Sequence, residues 1–210
     1  MIAVLDYGIG NLRSAEKALQ HVGATARLVD DPDQAVGASG VVLPGVGAFG
    51  ACARALRNSG LDEVVRLCTE EGRPFLGICV GLQLLFEGSE EDPEVPGLAI
   101  LQGTVRAISA SERRPQMQWN LVEAAPGRPS RLLGEAPSQW FYFVHSYCPV
   151  PEGHELGSVV GTCEYGGRLA VAFERGELFG TQFHPEKSAA AGLGLLARFA
   201  RICGETGTEL

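Results

Sequence analysis

The segment 74–86, with the sequence PFLGICVGLQLLF, constrains the fold of this chain more than any other stretch. An apolar run over 75–78 ends at Cys79, and a second apolar stretch begins at Leu82. This pattern predicts a short buried strand, a sharp turn at Cys79 and then a helix. A strand that turns directly into a helix is typical of sheets whose helices pack on their faces.

Cys79 is flanked by Gly77 and Gly81, and G-x-C-x-G is the thiol version of a nucleophile elbow. A side chain raised above a sheet edge on a tight turn leaves no room for Cβ atoms beside it, which explains the glycines. The N–H groups of the following helix favour a thiolate and can hold a developing oxyanion. The alternative is an ordinary buried core cysteine, and the motif alone does not separate the two.

Composition excludes several classes of protein. The 210 residues suit one domain with a sizeable core, and the net charge of −8 with no basic cluster argues against nucleic-acid binding. No apolar run approaches the ~20 residues that a membrane helix needs. The N-terminus MIAVLDYG lacks the features of a signal peptide.

The six cysteines form no C-x-x-C pair and show no zinc-ligand spacing with a histidine, so we expect no metal site. An even count also allows three disulfides. Without a secretion signal, reduced thiols and a cytoplasmic location are the expectation.

Strands and helices alternate through the first half of the chain. The predicted strands are 2–5, 24–29, 40–44 and 74–78, and the predicted helices are about 12–22, 50–58 and 61–71, with Asn11 as an N-cap. Strands that are apolar throughout predict an α/β fold with a central, mostly parallel sheet and helices on both faces. Ligands in such folds bind at the carboxyl ends of the strands.

The second half has a different pattern. Its short β-like runs are 98–101, 104–108, 119–124, 140–144, 158–163, 169–174 and 177–183. They predict an antiparallel extension of the sheet, closed by a helix over 188–203. The acidic segment 87–97 between the halves is expected to be a solvated loop or a flexible excursion. No linker between independent domains is evident, so 1–210 is expected to be one domain.

His184 and Glu186 stand two residues apart in TQFHPEKS, with Pro185 between them. Proline disfavours helix in the preceding residue, and side chains two apart in an extended segment point the same way. Glu186 can therefore hold His184, which is the logic of a nucleophile, a base and an orienting group. The alternative is a surface histidine and glutamate at the end of a strand.

The glycine-rich segment PGVGAFG at 44–50 follows a buried strand. It lacks the order of a dinucleotide site and the lysine of a P-loop, so a loop that donates N–H groups to an oxyanion is more plausible than a phosphate loop. A plain turn is the alternative. Among the other histidines, His145 is expected to pack or to line a pocket, and His21 and His154 to lie on the surface.

Taken in this order, PGVGAFG, GICVGLQLL and HPEKS resemble the class I, triad-type glutamine amidotransferases, whose fold is flavodoxin-like. Within that class the chain is most similar to the glutaminase subunits of imidazole glycerol phosphate synthase. The most specific matches are DYGIGNLRS at 6–14 and MQWN at 117–120, and YFVHSY at 142–147 completes them. One departure is that the family usually has His and Gly where this chain has Gln116 and Gln118, near the expected subunit interface.

The resemblance implies a role for each matched residue. Cys79 would attack glutamine, His184 would act as acid and base, and Glu186 would orient His184. The positions matched to oxyanion and glutamine binding are Gly45, Val46, Gly47, Val80, Gln83, Ser146 and Tyr147. The positions matched to the partner interface are Asn11, Met117, Trp119 and Lys187. No metal or organic cofactor is implied.

The resemblance also implies a partner, a (β/α)8 cyclase subunit that would receive ammonia through a protected channel and form a heterodimer with this chain. We expect the oxyanion loop 44–47 to be misaligned until the cyclase binds its own ligand. The competing functions are a glutaminase of another class I amidotransferase, a stand-alone cysteine hydrolase and a non-enzymatic flavodoxin-like binding module.

Overall fold

The computed structural model describes residues 1–205. The helices are α1 (Leu12–His21), α2 (Phe49–Asn58), α3 (Leu61–Glu70), α4 (Val80–Gln83) and α5 (Ala189–Ile202). The strands are β1 (Ile2–Leu5), β2 (Ala26–Val29), β3 (Gly40–Gly45), β4 (Phe75–Cys79), β5 (Gly88–Ser89), β6 (Gly103–Ala107), β7 (Gln116–Ala124), β8 (Ser138–His145), β9 (Tyr147–Pro151), β10 (Val159–Glu164), β11 (Arg168–Arg175) and β12 (Leu178–Thr181). Three 3-10 turns span Pro32–Ala35, Gly153–Ser158 and Pro185–Lys187.

A nine-stranded sheet in the order β2-β1-β3-β4-β12-β11-β10-β7-β8 forms the centre of the molecule. The pairings from β2 to β12 are parallel and those from β12 to β8 are antiparallel. Strands β1, β3, β4 and β12 are buried along their whole length, as expected where helices cover both faces. The predicted parallel sheet with an antiparallel extension is confirmed.

The segment that follows the elbow differs from the prediction, because its helix ends at Gln83 after one turn. Beyond it, the N–H groups of Leu85 and Phe86 bond three residues back, as in tight turns. The carbonyls of Leu84 and Leu85 accept N–H groups from Leu98 and Leu101. These tertiary hydrogen bonds replace a longer helix, and they also explain why 98–101 is not a strand.

The acidic segment 87–97 is largely an exposed loop, as predicted, but it also takes part in the fold. Part of it, β5, joins β6 and β9 in a second, three-stranded sheet. The carboxylates of Glu87, Glu90 and Glu91 accept backbone N–H groups at 2.9, 3.0 and 2.7 Å. Backbone donors without a partner at strand and helix ends attract carboxylates, so the charge serves the fold here.

Two smaller features bear on the first and last helices. Asn11 precedes α1, but its side chain makes no cap hydrogen bond, and its amide Nδ2 lies 3.4 Å from Glu186 Oε1 instead. Helix α5 matches its predicted range closely and packs against α1 and the 3-10 turn Pro185–Lys187. Within residues 1–205, no helix has the length and apolar character needed to cross a bilayer.

Close packing of α5 against the segment after His184 gives a test of the fold. A Cβ on Gly192 would lie 1.9 Å from the carbonyl oxygen of Pro185, whereas a Cβ on Gly194 in the same helix would meet only Arg198 at 3.6 Å. Gly192→Ala should therefore lower the free energy of unfolding by about 2 kcal/mol. Gly194→Ala should leave it unchanged or raise it by up to about 1 kcal/mol, because alanine favours helix. Urea denaturation measures both, and equal stabilities would contradict this packing.

Candidate active site

The backbone of Cys79 adopts φ +55° and ψ −112°, which is strained for a residue other than glycine. The flanking glycines leave no space for side chains. A Cβ on Gly81 would lie 1.8 Å from the carbonyl oxygen of Leu43, and one on Gly77 would lie 2.9 Å from the backbone of Leu82. The steric reason predicted for both glycines is confirmed, and the sulfur stands at the end of β4.

The register of the sheet brings the other motifs to the same place. Strand β4 lies between β3 and β12, with Gly45 level with Cys79 on one side and Thr181 level with Ile78 on the other. Because the three strands are parallel, the segments that follow them emerge at one edge. The glycine-rich loop 44–50 and the segment 182–188 therefore flank the cysteine.

A cavity of about 210 Å³ opens at this edge. The predicted site residues that line it are Val46, Gly47, Cys79, Val80, Gln83, Ser146, Tyr147 and His184. Gly45 and Glu186 lie behind the lining. A Cβ on Gly45 would meet Gly81 N at 2.7 Å, so loop and elbow are packed as closely as backbone allows.

The imidazole of His184 is buried, and its Nδ1 lies 2.8 Å from Oε1 of Glu186, which is buried as well. The two side chains meet through the 3-10 turn that starts at Pro185, not through the extended segment that the sequence predicted. Pro185 opens this turn because its fixed φ suits a first helical position. The predicted contact and the extended backbone of His184 are confirmed, but the extended conformation predicted for the residues after it was wrong.

Burial acts to lower the pKa of His184, but interaction with the Cys79 thiol and the Glu186 carboxylate raises it well above its ordinary value. Within residues 1–205, Nε2 of His184 makes no well-formed hydrogen bond, although it is buried. The ring is therefore held from one side and has its second nitrogen available on the side of the cavity. Such a histidine can carry a proton at neutral pH and pass it to a group in the cavity.

A second buried histidine, His145, lines the same cavity. Its Nδ1 is 2.9 Å from the carbonyl oxygen of Tyr147, and its Nε2 is 2.8 Å from the side-chain amide of Gln116. Burial lowers the pKa of His145 to about 4, so the ring is neutral at neutral pH. Gln116 itself is fully buried, so this position, which was expected near a subunit interface, lies inside the molecule and contacts a residue of the cavity lining.

Comparison with known proteins agrees with this geometry. The family model "Glutamine amidotransferase class-I" matches residues 3–201. The chain is 47% identical to "Imidazole glycerol phosphate synthase subunit HisH" of Moorella thermoacetica, over 98% of this chain and 97% of that protein. It is 40% identical to the chloroplastic "Imidazole glycerol phosphate synthase hisHF" of Arabidopsis thaliana, over 95% of this chain and 34% of that protein.

The chain belongs to the class I glutamine amidotransferases, in the group of imidazole glycerol phosphate synthase HisH subunits. A solved structure described as a glutamine amidotransferase has the same fold, with a TM-score of 0.75 and 24% identity over 97% of this chain and 98% of that chain. The resemblance drawn from the sequence motifs is confirmed. The relatives favour this group over the other amidotransferases, the stand-alone hydrolase and the binding module.

The amidotransferase cavity also contains a carboxylate that the sequence reasoning missed. Glu91 lines it, and its Oε2 accepts the N–H of Phe49 at the start of α2, at 2.7 Å. The residue belongs to the acidic run that was read as solvated. Its position depends on a contact with a residue 42 positions away, which no local pattern reveals.

The residues matched to a partner interface are distributed over two areas. Met117 and Trp119 lie on β7 and are 62% and 45% exposed, beside the exposed Trp140 of β8. Lys187 is exposed and Asn11 is half-buried, next to Glu186. Large exposed apolar side chains on a sheet face are typical of a surface that another protein covers.

The neutral His145 predicts a dependence of stability on pH. Its pKa of about 4 lies below the value of about 6.5 in the unfolded chain, so the unfolded state binds more protons between these values. The free energy of unfolding should fall as the pH drops from 6.5 to 4, and His145 should account for about 3 kcal/mol of the loss. His184 adds little slope over most of this range, because its raised pKa keeps it protonated in the folded state and a pH below about 6.5 protonates it in the unfolded state.

Urea denaturation at several pH values measures this slope. We expect a flatter slope in His145→Gln and the wild-type slope in His21→Gln, which changes an exposed histidine. Identical slopes in the wild type and His145→Gln would contradict the lowered pKa of the buried ring.

Proposed function

We propose that this chain is the glutaminase subunit of an imidazole glycerol phosphate synthase and acts in histidine biosynthesis. It hydrolyses glutamine to glutamate and delivers the ammonia to a cyclase subunit. The observation that carries the proposal is that Cys79, on its strained turn, and His184 line the same cavity. The ring of His184 is held there by Glu186, whose Oε1 lies 2.8 Å from Nδ1. We treat residues 1–210 as one glutaminase domain, of which the last five residues lie outside the described part.

In the proposed reaction, the Cys79 thiolate attacks the side-chain amide carbon of glutamine. The N–H of Val80 and a second N–H from Gly45, Val46 or Gly47 hold the oxyanion. Protonated His184 gives its proton to the leaving nitrogen, so ammonia departs and a thioester remains. His184 then takes a proton from water, hydroxide attacks the thioester, and glutamate and the thiol are released.

Glutamine binding is assigned to the polar groups of the cavity. Both N–H groups of the Gln83 amide are engaged, one with the Tyr147 carbonyl and one with Gln182, each at 3.0 Å. Its oxygen is therefore the atom left for substrate. Glu91 supplies a carboxylate that fits the α-ammonium group of an amino acid, while Gly47, Ser146 and Tyr147 complete the site.

The proposed partner is a (β/α)8 cyclase that forms a heterodimer with this chain. Free ammonia would be largely protonated at neutral pH and lost as a nucleophile, so a protected channel between subunits is required. The Arabidopsis relative supports a partner. It is one protein named as the synthase, and this chain covers only 34% of its length. The exposed Met117 and Trp119 fit the contact surface, and Asn11 and Lys187 are proposed to extend it.

All six cysteines within residues 1–205 are free and buried, which suits a reducing compartment such as the cytoplasm. The same residues contain no group of three or more His, Cys, Asp or Glu side chains placed to hold a metal ion. The proposed chemistry uses only the side chains and N–H groups described above.

Cys79→Ala tests the proposed nucleophile. It should abolish glutaminase activity in the complex with the cyclase, because no thioester can form. Synthesis of imidazole glycerol phosphate from added ammonia should continue at the wild-type rate. Cys68→Ala, at a buried cysteine in α3, is the control and should keep both activities. Residual glutamine hydrolysis in Cys79→Ala would refute the assignment.

The oxyanion loop gives a test of the partner. Glutaminase turnover of the isolated chain should rise on the order of ten-fold or more when the cyclase and its nucleotide ligand are added, because binding aligns loop 44–47. Trp119→Ala should weaken this stimulation. Val36→Ala, at an exposed apolar residue beyond the opposite edge of the sheet, should not. Equal turnover with and without the partner would overturn the proposal that the loop is switched by binding.

A further inference from the structure

Two buried glutamine side chains join the cavity to the sulfur of Cys79. Nε2 of Gln182 lies 3.6 Å from Sγ of Cys79, a normal distance for an N–H donor to sulfur. Its Oε1 accepts Nε2 of Gln83 at 3.0 Å, and the same Nε2 donates to the carbonyl of Tyr147 at 3.0 Å. Gln182 is completely buried and does not line the cavity, so its contacts are with protein and not with substrate.

The backbone carbonyl of Tyr147 fixes the direction of every hydrogen bond in this chain of groups. A carbonyl can only accept, so Gln83 must turn its NH2 group toward it. The second N–H of that group then requires an acceptor, which is Oε1 of Gln182. Gln182 is consequently unable to flip, and its own NH2 group must face Cys79.

The same carbonyl also determines the state of His145, whose Nδ1 donates to it at 2.9 Å. In the neutral ring Nε2 is an acceptor, so the amide of Gln116 must present its NH2 group there. That orientation gives a partner to Gln116 Nε2, which otherwise has none within residues 1–205. The Tyr147 carbonyl thus accepts hydrogen bonds from both His145 and Gln83. These bonds fix the carbonyl, and through Gln83 they fix the orientation of the Gln182 amide.

We propose that Gln182 is a positioning residue for the nucleophile, whose amide N–H holds the Cys79 sulfur toward the cavity and stabilises it as a thiolate. A donor that is locked in place by its neighbours stabilises a charged sulfur acceptor more than a neutral thiol, because hydrogen bonds to charged groups are stronger. His184 lines the same cavity as this sulfur. The effect on glutamine hydrolysis rests on the proposed function, but the effect on the thiol does not.

The experiment measures the rate at which iodoacetamide alkylates Cys79 at pH 7, followed by mass spectrometry of the peptide that contains it. Gln182→Met removes the donor while keeping a side chain of similar length, and we expect alkylation about ten-fold slower than in the wild type. Thr181→Val is the matched control. Thr181 is equally buried on β12, but its hydroxyl donates to the Phe183 carbonyl and not to the sulfur, so alkylation should keep its wild-type rate.

Gln182→Glu separates positioning from packing, because it keeps the oxygen that accepts from Gln83 and replaces the nitrogen that faces Cys79. We expect slower alkylation, a kcat for glutamine reduced about ten-fold and a KM within about two-fold of the wild type, with a thermal midpoint like that of Thr181→Val. Wild-type alkylation rates in folded Gln182→Met and Gln182→Glu would overturn the proposal. Because alkylation needs no glutamine, slow alkylation without any glutaminase activity would count against the proposed function alone.

Discussion

The close approach of Gly81 to the carbonyl of Leu43 is the contact on which the site depends. It holds the one-turn helix α4 directly against β3, so the turn at Cys79 has no alternative to its strained backbone. The same contact places the loop that follows β3 beside the sulfur. Strain at Cys79 and the position of the loop 44–50 are therefore two results of one backbone contact, which the missing side chain of Gly81 allows.

The strand order extends this constraint to the rest of the site. Because β4 lies between β3 and β12, segments from residues 44–50 and 182–188 reach the same edge although they are far apart in the chain. The antiparallel strand β8 then covers this edge from the other side. The stacked rings of Phe141 and Phe183, 4.0 Å apart, join it to the segment that contains His184. The segment that contains His184 is thus fixed by packing as well as by hydrogen bonds.

Local patterns predicted the parts of the fold that depend on backbone geometry and apolar periodicity. The parallel strands, the glycines at the elbow and the contact between His184 and Glu186 all follow from residues within a few positions of one another. Glu91, Gln116 and Gln182 could not be found in this way, because a buried amide or carboxylate acquires its role only from a distant partner. The short α4 was missed for the same reason, since hydrogen bonds to 98–101 decide where it ends.

The two buried histidines of the cavity have different pKa values because they face different neighbouring groups. His145 faces a carbonyl and an amide, which are neutral, so burial decides and lowers its pKa to about 4. His184 is equally hidden from water, but it faces a carboxylate and a thiol, and its pKa is raised. A charge on one ring opposes a charge on the other, since His184 is itself among the causes that lower the pKa of His145. The raised pKa of His184 therefore favours an imidazolium on the ring that interacts with Cys79 and Glu186, while the neutral ring of His145 donates to the carbonyl of Tyr147.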